Sequence, residues 1–130
     1  MGVETEIKTF LDALGTLGPI IIGELRPDPD IVCFISKYGG RSPERRFGVS
    51  GIGYDRPSIN LIFRGAPNDY NGPMARASIA YQALAEIKPG VLGSTEYLDI
   101  DPQQSPFTLG KDANLRYEIA CNFWIRKEPS

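Results

Sequence analysis

Apolar and polar residues alternate along the chain with two periods, one typical of helices and one typical of strands. Over residues 3–17 the apolar side chains lie three and four positions apart, and this spacing predicts a first helix with one apolar stripe. Residues 74–87 are rich in alanine, which favours a second, slim helix that can lie close to a sheet. Asp69 or Asn71 is in place to cap this helix, and Pro73 is tolerated in its first turn.

Short runs rich in β-branched and aromatic residues predict the strands. They lie at residues 31–35, 58–64, 96–101 and 116–126, and residues 19–25 form either a short strand or an extended segment that enters the sheet. The run at 31–35 is apolar throughout, which is typical of a central strand buried on both faces. In the last strand alternate residues are apolar, and Trp124 falls on the polar side. Trp124 therefore either packs beneath the second helix or anchors an interface. We expect a turn at residues 109–114.

These elements predict one α+β domain over residues 1–130. Two helices pack on a mostly antiparallel or mixed β-sheet, and a long Gly/Arg-rich loop interrupts the strands. A chain of this length buries enough surface to form one core without a metal or disulfide. Cys33 and Cys121 each lie in an apolar stretch, so we expect two buried free thiols rather than a disulfide.

The long loop, residues 38–57, is the segment most suggestive of function, and we name it the arm. At about 20 residues it exceeds the usual connection within a compact domain. It is also too rich in aromatic residues for a typical disordered insertion, which is the alternative interpretation. Four arginines against two carboxylates give the arm a net charge of +2, suited to carboxylate or phosphate groups on a partner. The candidate contact residues of the arm are Tyr38, Arg41, Arg45, Arg46, Phe47, Tyr54 and Arg56.

The sequence gives little support to catalysis. The chain has no histidine, which excludes Ser-His-Asp and Cys-His chemistry. Gly51 and Gly53 form a GxG pair, but Arg56 occupies the third glycine position of a dinucleotide fingerprint. Asp99 and Asp101 share a strand face, but their polar setting gives no support to paired-carboxylate catalysis. We therefore expect no catalytic residues, no cofactor and no metal site.

Acidic residues outside the arm offer it a complementary patch, and this pairing would suit head-to-tail association of copies into a ring. Scattered, solvated charge is the alternative interpretation. The candidate acidic residues are Glu24, Asp28, Asp30, Glu96, Asp99 and Asp101.

Three motifs, in order, resemble the minor capsid or tail terminator (tail-completion) family of bacteriophages. They are the YGG-x-x-P-E run at residues 38–44, the DRP at 55–57 where the family has an ERP-like segment, and the QSPF-x-LG-x-D run at 104–112. The resemblance spans about residues 20–126. The motifs are structural, without the specificity of a catalytic signature.

The resemblance implies a structural virion protein and not an enzyme. Such proteins form a homo-oligomeric ring, typically hexameric, at the head-proximal end of the tail tube. They stop tube growth and present a surface to head-completion or connector proteins, and DNA passes through the lumen. The expected location is the virion, at the head-tail junction, after assembly in the host cytoplasm. We expect the arm arginines to contact a neighbouring subunit or the tube, since a net acidic chain that must release moving DNA should not hold it tightly.

Two other classes remain open. A head-side connector or neck ring protein occupies the same junction. A small nucleic-acid-binding module would use the same arginines with Tyr38, Phe47 and Tyr54 as stacking groups.

Overall fold

The structure, a computed structural model, describes residues 2–23, 26–40, 44–45, 52–87, 90–92 and 95–128. Within these ranges it has two helices, α1 (Val3–Asp12) and α2 (Asn71–Ala85). Neither is long and apolar enough to cross a membrane. The strands of the same ranges are β1 (Ile20–Ile22), β2 (Val32–Gly40), β3 (Glu44–Arg45), β4 (Ile52–Tyr54), β5 (Pro57–Pro67), β6 (Gly90–Leu92), β7 (Thr95–Pro102), β8 (Phe107–Lys111) and β9 (Arg116–Lys127).

Seven strands form one sheet in the order β1-β2-β5-β9-β7-β6, with β8 also paired to β9. β1 runs parallel to β2, and the other pairs of the sheet are antiparallel. This arrangement of two helices and a mostly antiparallel sheet confirms the predicted α+β class. β3 and β4 form a separate two-stranded sheet.

Both helices pack on one face of the sheet, and the apolar core lies between. β5 contributes Ile59, Leu61 and Phe63 to this face, as its alternation predicts. The remaining members of the core are Val3, Ile7, Leu11, Leu17, Ile20, Cys33, Ile35, Ala77, Ala80, Leu84, Tyr97, Ile100, Ile119, Cys121, Phe123 and Ile125. Cys33 and Cys121 are buried and free, which confirms the prediction of two core thiols.

One polar pair is enclosed in the core. The Tyr97 hydroxyl donates to Glu6 Oε1 at 2.9 Å, and both side chains are almost completely buried. Burial, together with the neighbouring carboxylate, raises the pKa of Tyr97 above its ordinary value. The bond ties α1 to β7 across the apolar layer.

The helices begin and end a few residues from the predicted positions. α1 ends at Asp12, before Gly15 and Gly18, whose φ angles of 72° and 73° are left-handed. α2 begins at Asn71, and the Gly72 N–H donates to Asp69 Oδ1 at 3.0 Å, so Asp69 is the residue that caps this end. Gly65 allows β5 to approach α2, because a Cβ there would lie 2.7 Å from Pro73 Cδ.

Two strand predictions need correction. The strand predicted at 31–35 extends from Val32 to Gly40, and Ile31 lies outside it, 43% exposed. The turn predicted at 109–114 is wrong over its first half, because β8 runs from Phe107 to Lys111. In the described sheet β8 pairs with β9 alone, and its register shifts between Thr108 and Gly110. Gly110 has a φ of 104° and is tolerated at this irregular point, which explains why the sequence of β8 resembles that of a turn.

The arm is less irregular than the sequence predicts. Its first residues, 38–40, belong to β2, and its last residue, Pro57, begins β5. Between them Glu44 pairs with Tyr54 and Arg45 with Ile52, so the described parts of the arm include an antiparallel strand pair.

Candidate interaction surfaces

The arm is attached at one end of the main sheet. Gly40 at the end of β2 pairs with Pro57 at the start of β5. Asp55 continues this edge of the sheet, because its backbone exchanges two hydrogen bonds with Lys127, at 2.8 and 3.0 Å. We name this the arm end of the sheet.

Backbone register places three of the candidate contact residues at the arm end. Tyr38 pairs with Ser58, which pairs in turn with Trp124. Arg56, half-buried, directly precedes β5. The backbones of Arg45 and Tyr54 lie in β3 and β4. The side chains of Tyr38, Arg45 and Tyr54, and all of Arg41, Arg46 and Phe47, lie outside what the structure describes. The role of all these residues as an interface stays a prediction.

Trp124 does not pack beneath the second helix, so that alternative is wrong. α2 lies on the face of β9 that carries Cys121 and Phe123. The Cys121 thiol lies 3.7 Å from the Ala77 carbonyl oxygen, and the Tyr81 ring centroid lies 6.5 Å from that of Phe123. Because side chains alternate along a strand, Trp124 lies on the opposite face, where it is 38% exposed.

The acidic residues proposed to complement the arm do not form one patch in the described part of the chain, and Glu24 lies outside that part. Asp99 and Asp101 pair with Arg126 and Trp124 near the arm end, and the Asp99 carboxylate accepts from Arg126 Nη2 at 2.8 Å. Asp30 lies at the other end of the sheet, where its carboxylate accepts from Arg116 Nη1 at 2.9 Å. Residues 116 and 124 are eight positions apart on β9, so about 26 Å of strand separates the two groups.

The end of the sheet opposite the arm has three connected segments and two buried arginines. The segments are the turns at residues 26–31 and 68–70 and the hairpin end at 109–117, which includes the ends of β8 and β9, and we name them together the loop platform. Arg64 and Arg116 are 2% and 3% exposed. Arg64 donates through Nε to the Asp30 carbonyl at 3.3 Å and through Nη2 to the Pro29 carbonyl. Arg116 donates through Nη1 to the Pro27 carbonyl at 2.6 Å.

Asp112 shapes the turn between β8 and β9. Its Oδ1 accepts from the backbone N–H groups of Asn114 and Arg116, at 2.9 and 3.0 Å, and its Oδ2 accepts from Arg116 Nε at 2.9 Å. These backbone donors, with the Arg116 guanidinium, hold the pKa of Asp112 below its usual range. The Asp112 side chain thus supplies the hydrogen bonds that fix this turn.

The turn is also joined to the connection between β5 and α2. The Asn68 N–H donates to the Leu115 carbonyl at 2.7 Å, and Lys111 Nζ donates to Asn68 Oδ1 at 3.0 Å. The Lys111 ammonium lies 5.0 Å from the centroid of the Tyr117 ring, and this ring meets that of Tyr70 edge to face at 5.2 Å. The three segments therefore form one connected unit.

Large apolar side chains lie on the outside of this unit. Ile31, Tyr70, Leu109 and Leu115 are between 41% and 52% exposed. Leu115 has a φ of 64°, a left-handed conformation that favours glycine or asparagine over leucine.

Sequence reasoning missed this surface. Arg64 and Arg116 fall on polar faces in the strand pattern, where exposure is the ordinary expectation. The available signal was the RPDPD turn at residues 26–30, since its prolines have no N–H and leave carbonyl acceptors that need donors from elsewhere.

Comparison with known proteins adds a likeness in fold. No protein-family model and no curated protein matches the chain. Among solved structures, the chain is similar to one from the virion of a native gene transfer agent (GTA) particle, with 14% sequence identity and a TM-score of 0.63. The match covers 98% of this chain and 95% of that chain, so the two share one fold over almost their whole length.

Proposed function

We propose that this protein is a structural component of a phage-like virion. The observation that carries the proposal is the likeness of fold to a chain of the GTA virion, which extends over 98% of this chain. The ordered motifs at residues 38–44, 55–57 and 104–112, which resemble phage tail-completion proteins, support the same class independently. A virion component assembles with other virion proteins, which suits a chain with two distinct surfaces at opposite ends of one sheet.

Within that class we propose a tail terminator. Copies of the chain form a ring, hexameric in the proposal, on the head-proximal end of the tail tube. The ring stops growth of the tube and offers a joining surface to the head-completion or connector protein. The motif resemblance supports this finer role, and the attachment of the arm at one end of the sheet suits a contact with a neighbour or with the tube.

The protein acts without catalysis in this proposal. Its partners are other copies of itself, the major tube protein and the head-completion protein, and DNA passes through the lumen without specific binding. The net charge of −2 suits a ring that must release moving DNA.

Charge reversal in the arm tests the function. We expect Arg45→Glu with Arg46→Glu to abolish attachment to tails and head-tail joining, while the isolated chain keeps its unfolding transition. Lys8→Glu is the control, since Lys8 lies on α1 in an exposed pair with Asp12 and should leave joining unchanged. Unchanged joining by the arm variant would reject the arm as a contact surface. Failure of the wild-type chain to bind either end of a tail would reject the terminator role.

A DNA titration against salt separates the proposal from a nucleic-acid-binding module. We expect any DNA binding to vanish at physiological salt, because the net acidic chain offers little counterion release. Tight binding that persists there would favour the module.

A further inference from the structure

We propose that the loop platform is the surface that receives the arm of a second copy of this chain. The contact is head to tail, since the arm is attached at one end of the sheet and the platform forms the other. The inference rests on the proposed ring-forming function and adds which two surfaces meet.

The loop platform reverses the usual distribution of groups in a soluble protein. Two guanidinium groups are buried there, whereas Ile31, Tyr70, Leu109 and Leu115 are exposed at various points around this end of the sheet. Burying charged groups is unfavourable unless each is well hydrogen-bonded, and here both bind loop carbonyls. The result is a set of exposed apolar side chains on preorganised segments, which lose little conformational entropy on binding.

The stability of the chain does not explain why residue 115 is a leucine. It holds a left-handed backbone conformation at φ 64° and is 52% exposed, so its side chain gains little from burial within the chain. Asparagine would suit the same backbone and would be more soluble. Unfavourable backbone conformations of this kind persist where function requires the side chain. An exposed leucine held on a fixed turn, in the same unit as an exposed tyrosine, is suited to an interface with a partner.

Two exposed carboxylates of the platform favour the arm as its complement. The exposed carboxylates at the platform are Asp28 and Asp30, and the Asp30 side chain is 55% exposed despite its bond to Arg116. The same surface also has two exposed cations, Arg26 and Lys111, and Lys111 is bonded to Asn68. The arm supplies four arginines and a net charge of +2, and arginine is the side chain best matched to carboxylates. A patch and its complement on one chain generate a heterologous contact, which closes into a ring when the rotation permits.

A mixing experiment tests the pairing of these two surfaces. Leu115→Asn disables the platform and keeps a residue suited to the backbone, and Arg45→Glu with Arg46→Glu disables the arm. We expect each variant alone to associate at least roughly tenfold more weakly than the wild-type chain in sedimentation velocity, as for loss of a central contact. Mixed together, they should form a 1:1 dimer and nothing larger, because one intact platform and one intact arm remain.

Three results of these experiments bear on whether the platform of one copy binds the arm of another. A mixture that stays monomeric, or a wild-type chain that shows no self-association, overturns the inference. Normal self-association by Leu115→Asn overturns it as well. Ile79→Gln is the control, since Ile79 is a 43% exposed apolar residue on α2, remote from the platform, and its replacement should leave association unchanged.

Binding to tails distinguishes failure of the inference from failure of the proposed function. If Leu115→Asn binds tails and closes rings as the wild-type chain does, the platform has another role and the terminator function stands. If the wild-type chain binds no tails, the function itself is wrong.

Discussion

The helix-covered face of the sheet and the loop platform bury opposite kinds of groups. Between the helices and the sheet the buried side chains are apolar, with the Glu6–Tyr97 pair as an enclosed exception. At the platform the buried side chains are guanidiniums, and leucine, isoleucine and tyrosine lie outside. The first arrangement follows from the hydrophobic effect alone. The second requires directed hydrogen bonds, which hold three segments in one position.

This difference suggests that the core residues are needed for folding, whereas the exposed residues of the platform are available for the proposed association. The core would specify the sheet without the exposed leucines of the platform. The platform depends on the sheet, because Arg64 and Arg116 project from β5 and β9. Changes in the core should therefore affect stability first, and changes on the outside of the platform should affect association first.

The largest expected effect belongs to the core. Phe123 is fully buried between the sheet and α2, and Phe123→Ala removes most of its apolar surface and leaves a cavity. We expect a loss of about 3–5 kcal/mol in the free energy of unfolding, measured with urea. A loss below about 1 kcal/mol would mean that the helix-covered face is not the core described here.

The next effect compares two arginines of β9. Arg116→Met removes a buried guanidinium that binds the Asp112 carboxylate and the Pro27 carbonyl, and we expect a loss of about 1–3 kcal/mol. In the matched variant, Arg126→Met, the ion pair with Asp99 has both side chains 36% exposed, and we expect a loss of about 0–1 kcal/mol. Equal losses in urea unfolding would remove the distinction between the platform and an ordinary surface.

A gain in stability is expected at the outside of the platform. Leu115→Asn relieves the left-handed backbone, so the isolated chain should gain about 0.5–1 kcal/mol in the free energy of unfolding while its association weakens. Leu109→Asn is the matched control, because Leu109 is also 52% exposed but lies in β8 without a positive φ, and it should give no gain. A loss at Leu115 would show that the leucine stabilises its own chain.

The smallest expected effect is on how the stability of the fold changes at low pH. The pKa of Asp112 is lowered in the folded chain, chiefly by the Arg116 backbone N–H, so its ionised form stabilises the fold. That contribution is complete above the unfolded pKa, about 3.9, and is lost as the pH falls through the lower folded pKa. Asp112→Asn keeps the turn acceptor without the charge, so its stability should fall less than that of the wild-type chain between pH 5 and pH 2. Parallel curves would contradict this.

The sequence predicts the helix-covered face well because periodicity is a local signal. Alternation at Ile59, Leu61 and Phe63 places these residues on one face whatever their neighbours are. The same rule places Trp124 on the polar face, and the structure excludes its packing beneath α2.

The platform is hard to predict because its determinants are distant in sequence. Arg116 meets Pro27 and Asp30, which lie 89 and 86 positions away. Nothing near residue 116 indicates that its side chain is buried. The strand β8 is hard to predict for a similar reason. Its sequence is typical of a turn, and in the described sheet its strand conformation depends on pairing with β9.

Disulfide cross-linking between platform and arm tests the central claim most directly. Cys33 and Cys121 are buried, and burial raises the pKa of Cys121 to about 12, so the native thiols should stay unreactive in the folded chain. We expect oxidation of a mixture of Leu115→Cys and Arg45→Cys chains to give a cross-linked dimer containing one of each. Neither variant alone should cross-link, and a chain carrying both changes should give a ladder of oligomers. Dimers from Leu115→Cys alone, or no cross-link in the mixture, would contradict head-to-tail contact through these surfaces.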